Sequence, residues 1–485
     1  MQAMIWVLLF AALAAQVSSQ GFTGSLVVTK DAYCEKNNIG PLKECAKQFK
    51  AFLSERPELR RCHRICPIYS DNCETLPLEY MACGGDGVNS RDPFREPKPS
   101  TVPLHTKITN FTLELFKKAL PKGYDQNYIL SPVLVQSLLS YLTEGASDET
   151  QTAMEAVLKL NSNDLENLKR SLEPSAEVQT PAKIKLDIAS QIFRSSRVEL
   201  LNPFRQSLKD KKVTVDEIDF SNQELAAKQI NDWVTQKTRG KINGAVDAAS
   251  LNPDTKLMLL NALYFNGTWQ YRFNKTVNDV FHVGENEQSS VRMMHLTRHL
   301  RSGYTRVEKG WDSVNGFSWV ELPYDGDTFS MIILMPKERF QLDRELEKFN
   351  EADLAYILSE IAQNYQDEVK LRVPEFKAES TVSLVEPLKQ MGLSSVFDGE
   401  NPFDKVSKDV VKVSEVKQKS YLAVNERGTV ATSVTFAAVV ALSLPRSTLF
   451  KVDQPFAAII IDKQNRLPLF LAKICKPEKY KEESA

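Results

Sequence analysis

Few residues of this chain are of a type and spacing to do chemistry. There are five histidines: His63, His105, His282, His295 and His299. His295 and His299 stand four apart, as two zinc ligands on a helix would, but the glutamate of a metalloprotease helix is absent. They read as surface or core histidines. No nucleophile elbow, phosphate loop or dinucleotide fingerprint occurs. Cys83-Gly84-Gly85-Asp86-Gly87 is a turn cluster, too short to cradle a phosphate. The residues therefore predict no catalytic group, no metal site and no cofactor, and hence not an enzyme.

Sulfur is the exception. Six of the seven cysteines, Cys34, Cys45, Cys62, Cys66, Cys73 and Cys83, fall in one window. In an oxidising compartment that density forms a small disulfide framework, whose connectivity the spacing leaves open. A zinc site using His63 between Cys62 and Cys66 matches no finger spacing. Cys475, near the C-terminus, is expected to be a free, partly buried thiol.

A second stretch has unusual chemistry because it has no charge. Between Arg427 and Arg446 no ionised residue occurs, Gly428 opens the run and Pro445 closes it. Its threonines and serines make it too polar for a membrane span. Its β-branched residues, among them Thr429, Val430, Thr432 and Val434, favour a strand. Sizes alternate: Thr429, Ala431, Ser433, Thr435 and Ala437 are small, while Val430, Val434 and Phe436 interleave. Successive strand residues point to opposite faces, so one face is slim throughout. Such a strand suits entry between two others already in place.

The elements that must position this stretch come from the rest of the chain. At 485 residues, 25% charged and 42% hydrophobic, it has the composition of a soluble globular protein. A net charge of −1 draws it to neither nucleic acid nor membrane. Residues 1–19 read as a signal peptide: Ile5 to Ala15 is apolar and Val17-Ser18-Ser19 fits a cleavage site, although a basic start is missing. Residues 20–104 are a cysteine-rich extension that ends in a proline- and charge-rich linker. Residues 105–485 read as one mixed domain, and the mature chain is expected to be secreted and extracellular. Asn110, Asn266 and Asn274 each begin a glycosylation triplet.

Within that domain Ile108, Phe111, Leu115 and Phe116 recur at helical spacing. Ser131-Pro132 starts a helix with serine as cap, and another begins near Ser147. Ser221 to Gly240 is the clearest helix, with a capping box of Ser221 and Glu224 and an apolar stripe of Leu225, Ile230, Trp233 and Val234. Ala457–Ile461 and Leu467–Ile474 form a hairpin around a polar turn.

These residues carry a resemblance to the serpins, spanning about residues 105 to 477 in family order. Tyr421-Leu422-Ala423-Val424-Asn425-Glu426-Arg427-Gly428-Thr429 resembles the serpin hinge, and Phe450-Lys451-Val452-Asp453-Gln454-Pro455-Phe456 follows the reactive loop. Leu259-Leu260-Asn261-Ala262-Leu263-Tyr264-Phe265-Asn266-Gly267-Thr268-Trp269 is the most specific motif outside the loop. Asn231, Trp233 and Val234 with Thr238, Gly240, Lys241 and Ile242, then Glu321-Leu322-Pro323-Tyr324 and Val373-Pro374, add to it.

The resemblance implies a mixed α and β serpin fold of three β-sheets, about nine helices and an exposed reactive loop. It implies a monomer that traps an extracellular serine protease covalently by loop insertion, a recognised switching device. Hinge residues would be Glu426, Gly428, Thr429, Ala431, Ser433 and Thr435. The family pattern departs at Arg427, Val430, Thr432 and Val434. By the family's alternation the last three face outward after insertion and are tolerable. Counting the family distance of fourteen residues from Gly428 puts the reactive bond at Leu442-Ser443, which suits a chymotrypsin-like or elastase-like protease. The alternative is Arg446-Ser447, for a trypsin-like one. Heparin is not expected, since Lys169 and Arg170 stand among acidic residues and Lys209, Lys211 and Lys212 form only a small cluster. Two other functions share the fold: a non-inhibitory carrier, chaperone or storage serpin, and a binding protein working through its cysteine-rich extension.

One prediction follows from the cysteine count. Non-reducing peptide mapping of the secreted protein is expected to find Cys34, Cys45, Cys62, Cys66, Cys73 and Cys83 paired among themselves. A bridge from any of them to Cys475 overturns it.

Overall fold

Apolar runs and helical stripes assemble here around three sheets. The computed structural model describes residues 26–29, 79–82, 102–172, 184–305, 315–363, 365–427 and 447–477. The chain divides into two compact units, Met1–Ser100 and Thr101–Ala485. In the first, β1 (Leu26–Thr29) pairs antiparallel with β2 (Glu79–Ala82), Leu26 opposite Ala82. The stretch read as a signal peptide and the six clustered cysteines lie outside the described residues.

In the second unit the main sheet has five strands, numbered along the chain. Their spatial order is β13 (Phe376–Ser383), β14 (Val413–Val424), β6 (Leu257–Gly267), β4 (Ile184–Ser195) and β5 (Val215–Ile218). A six-stranded sheet runs β3 (Tyr128–Leu130), β17 (Leu467–Ile474), β16 (Phe456–Asp462), β11 (Phe329–Pro336), β10 (Phe317–Pro323), β9 (Ser302–Tyr304). A four-stranded sheet runs β15 (Thr448–Lys451), β12 (Asp367–Pro374), β8 (Gln288–Leu300), β7 (Lys275–His282).

Nine helices surround them among the described residues. They are α1 (Leu104–Ala119), α2 (Pro132–Ser140), α3 (Asp148–Leu158), α4 (Ser162–Leu172), α5 (Asn202–Asp210), α6 (Gln223–Lys237), α7 (Leu342–Lys348), α8 (Glu351–Ala362) and a broken ninth. In the ninth, Val385–Leu388 passes through a π turn, Lys389–Leu393, into Ser394–Asp398. Gly392 makes the kink at φ 101°, a conformation a side chain would oppose.

Burial explains why the terminal hairpin is apolar without a break. Every residue of β16 and β17 is buried. Ala457, Ile459 and Ile461 point into one apolar cluster and Ala458 and Ile460 into another. The hairpin is therefore the wall between two cores. A third cluster lies under α6, where Ala226, Ala227, Ile230 and Val234 meet Met258, Leu260 and Ala262 of β6.

Several expectations change in detail. The cap of α6 is Asn222, whose Oδ1 accepts from the Leu225 N–H at 3.2 Å, while the Ser221 hydroxyl donates to Asp219 instead. Leu225 is 47% exposed and lies off the apolar face, which is carried by the small Ala226 and Ala227. Ser131 holds the N-cap position of α2, but its hydroxyl caps nothing. His295 and His299 lie on β8, a strand, so no helix face joins them. Cys475 is a free thiol and fully rather than partly buried, and burial pushes it up to about 12.

The cap assignment is testable. Asn222→Ala is expected to lower stability by about 1 kcal/mol in urea unfolding, with Ser221→Ala clearly milder. The reverse order overturns it.

Candidate functional site

The uncharged stretch begins where β14 ends, and the site is built around that exit. β14 lies parallel to β6, and their ladder runs from Val413–Leu257 to Tyr421–Tyr264. There it stops, although both strands continue. Leu422, Ala423 and Val424 pair only outward, with β13. Phe265, Asn266 and Gly267 pair only with β4. Beyond Tyr421 and Tyr264 the two strands therefore no longer form a ladder with each other.

The root of the stretch is pinned beside this end of the ladder. The Trp269 indole N–H donates to the Asn425 carbonyl at 3.0 Å, and the Trp269 and Phe273 backbone N–H groups donate to Arg427 and Glu426 at 3.3 and 3.1 Å. Asn425 Oδ1 accepts from the Arg427 N–H at 3.0 Å, closing a local turn. Trp269 is itself buried and stacks on Tyr324, ring centroids 4.4 Å apart. Gly267 lies beneath that tyrosine, where a Cβ would come within 2.6 Å of the ring. Glycine is thus required here by close approach.

Charge at this root is arranged against itself. Glu375, 3% exposed, immediately precedes Phe376, which pairs with Val424. Arg292 Nε donates to its carboxylate at 2.9 Å. Burial nevertheless pushes the Glu375 pKa up; Arg292 opposes this, and a hydrogen-bonding contact with Glu426 adds to it. Glu426 in turn has Arg427 at 3.7 Å.

Further down the seam a polar row crosses the sheet. Gln418 of β14 stands opposite Asn261 of β6, which stands opposite Ser190 of β4. Ser190 Oγ donates to Asn261 Oδ1 at 2.7 Å. Gln418 Oε1 accepts from the Ser131 N–H at 2.6 Å, and its amide donates to the Ser131 carbonyl at 3.0 Å. That two-point clasp ties β14 to the start of α2.

Of the residues singled out from sequence, Glu426 sits at this root and Ser447 directly precedes β15. Gly428, Thr429, Ala431, Ser433, Thr435, Leu442, Ser443 and Arg446 lie outside the described residues. Asn110 is exposed on α1 and Asn274 is exposed just before β7, while Asn266 lies near the end of β6. Lys169 and Lys211, in separate sequence clusters, are neighbours: Lys169 Nζ donates to the Lys211 carbonyl at 3.0 Å. Lys211 also pairs with Glu144, and Arg170 lies 3.6 Å from Glu166. Sequence reasoning missed Glu375, Arg292 and Gln418. Among the described residues no helix is long and apolar enough to cross a membrane.

A five-stranded sheet with a parallel seam, flanked by two further sheets and nine helices, defines the class. The family model for Serpin (serine protease inhibitor) matches residues 106–477, and the chain belongs to that family. Plasminogen activator inhibitor 1 of Neovison vison is 30% identical over 376 residues, 76% of this chain and 92% of that one. Serine proteinase inhibitor 1 of Variola virus is 29% identical over 372 residues, covering 76% and 96%. Among solved structures, native protease nexin-1 with heparin has a TM-score of 0.67 at 27% identity, covering 77% of this chain and 99% of that one.

The Glu375 environment predicts a pH dependence. Its folded pKa is raised, so its contribution to stability is present at low pH and is lost as pH rises from the ordinary carboxylate range through the raised value. Glu375→Gln, neutral throughout, should therefore gain on the natural protein in melting temperature between pH 4 and pH 8. A difference that stays constant across that range refutes the assignment.

Proposed function

We propose that this protein is a secreted inhibitor of serine proteases that acts as a suicide substrate. The observation that carries this reading is the parting seam: β14 and β6 run parallel, part at Tyr421 and Tyr264, and beyond that point each pairs only with its outer neighbour, beside the root of the uncharged stretch.

The chemistry follows from strand direction. A target protease's serine oxygen attacks the Leu442 carbonyl, the bond to Ser443 breaks, and Leu442 remains as the acyl group. The freed segment stays tied at Arg427. Turning back there, it runs antiparallel to β14, and because β14 and β6 are parallel it is antiparallel to β6 as well. One parallel ladder becomes two antiparallel ones, which are somewhat more stable per residue. Roughly a dozen new backbone hydrogen bonds at about 1 kcal/mol each supply on the order of 10 kcal/mol. The slim face of Thr429, Ala431, Ser433 and Thr435 lets the strand pack without displacing its neighbours. From Gly428 to Leu442 an inserted strand spans roughly 50 Å, enough to carry the acylated protease the length of the sheet and distort it.

Leu442 favours a chymotrypsin-like or elastase-like target. Cleavage at Arg446 would leave four more residues, about 13 Å of slack, between sheet and enzyme. The signal peptide and cysteine-rich window support secretion, and Asn110 and Asn274 are the triplets whose exposure suits glycan.

Incubation with chymotrypsin, elastase and trypsin is expected to give an SDS-stable complex and to release a C-terminal peptide beginning at Ser443. A terminus at Ser447 moves the bond to Arg446. Cleavage by all three without a complex rejects inhibition in favour of a carrier or storage role. Thr429→Arg sets a charged side chain at the start of the slim face, where burial opposes insertion by several kcal/mol. That variant should be cleaved as fast as the natural protein yet form no covalent complex. Undiminished complex formation rules this out.

A further inference from the structure

The four-stranded sheet carries a row of like charge that nothing in the fold requires. In register across all four strands stand Lys275 of β7, His295 of β8, Arg372 of β12 and Lys451 of β15. Residues directly opposite share a face, and Arg372 and Lys451 are like charges so placed, which is destabilising. The next positions along the same face are Thr297, Lys370 and Leu449, again in register. Lys275 and Lys370 are exposed, and Leu449, an apolar residue, is 54% exposed.

Counter-charge is incomplete. Lys451 is met by Asp279 at 3.0 Å and Asp453 at 3.8 Å, and Arg339 shares Asp453. Among the described residues no carboxylate lies within ion-pair distance of Lys275, Lys370 or Arg372. Against Lys275, Lys370, Arg372 and Lys451 the acidic groups here are Glu368, Asp279 and Asp453, the last shared with Arg339, so cations exceed them. Burial holds the His295 pKa down; Arg372, Lys275 and Lys451 add to this and Asp279 opposes it. The His295 Nε2 is buried without a hydrogen-bond partner.

Position gives the row its meaning. Phe273, two residues before Lys275, holds the Glu426 carbonyl at the outgoing root of the uncharged stretch. The returning end, Ser447, directly precedes β15, which carries Leu449 and Lys451. β7 and β15 are the two edges of this sheet. The row therefore crosses from one root of the stretch to the other, where an enzyme grasping the stretch stands nearby.

We propose that this face, built on Lys275, Lys370, Arg372 and Leu449, is an auxiliary docking surface for an acidic patch on the attacking protease. The proposal rests on the inhibitory reading above and adds partner selection to it. The cations speed encounter with an acidic enzyme, and Leu449 gives the contact an apolar centre. The loop sequence chooses the specificity pocket; this face chooses among enzymes that share one.

The test varies protease charge at constant specificity. Chymotrypsin, elastase and trypsin are each used native and with surface lysines succinylated, against the natural protein, Lys275→Ser/Lys370→Ser, and the triple variant adding Arg372→Ser. Melting temperatures check folding, and the double variant changes only exposed side chains. At low salt the succinylated enzyme should react with the natural protein roughly tenfold faster than its native form. That advantage should shrink in both variants and vanish at high salt. An equal advantage in the variants, or none in the natural protein, overturns the proposal. So does loss of retention on a heparin column in the variants with protease kinetics unchanged, which would assign the face to a sulfated polysaccharide. If no enzyme forms an SDS-stable complex, rates of loop cleavage carry the same comparison. The inhibitory reading then fails while the docking surface is still decided.

Discussion

The parallel pairing of β14 with β6 is the constraint on which the rest depends. Parallel neighbours cannot be joined by a tight turn, and here about 150 residues of chain separate them in sequence. Any segment that leaves β14 by a short turn must run against both strands. A seam of this kind accepts an antiparallel strand without changing the direction of either neighbour. Leu422–Val424 of β14 and Phe265–Gly267 of β6 extend beyond the end of their shared ladder, each paired with its outer neighbour.

What holds the seam closed is less apolar than its surroundings. The Gln418 clasp on Ser131 fastens β14 to the helix layer, and Asn261 leans on Ser190 across β6 and β4. The row is not fully satisfied: Asn261 Nδ2 and Ser420 Oγ are buried without partners. Each such group costs about 1–3 kcal/mol. At the upper end burial, with Glu426 nearby, pushes the Glu375 pKa up.

Much of this was legible from sequence where one physical pattern dominates. The run from Leu259 to Phe265 and the hairpin Ala457–Ile474 are apolar because both faces are buried, and they read correctly as strands. The Asn425–Gly428 root was legible because charge stops there abruptly. Misreadings arose where two patterns coincide. A spacing of four suits a helix face and also a strand face, being a multiple of two, so His295 and His299 do not reveal the strand they occupy. Ser221 and Asn222 are both good caps in adjacent positions, and only the path of the turn decides between them. Leu225 drew attention by size, whereas α6 lies on its sheet through two alanines that permit close approach. Glu375, Arg292 and Glu426 come together only through the β13–β14 register, which no local pattern encodes.

The terminal hairpin has a consequence for how this molecule can be made. β17 lies between β3 and β16, and β16 in turn pairs with β11, so the interior of the six-stranded sheet is filled by the final segment described. A ribosome working from the N-terminus delivers β3 well before its neighbour β17, with the other two sheets' strands made in between. Both apolar clusters divided by the hairpin stay open for that whole interval. The nascent chain therefore keeps apolar surface bare until this hairpin has emerged, a state in which transiently exposed surface invites aggregation.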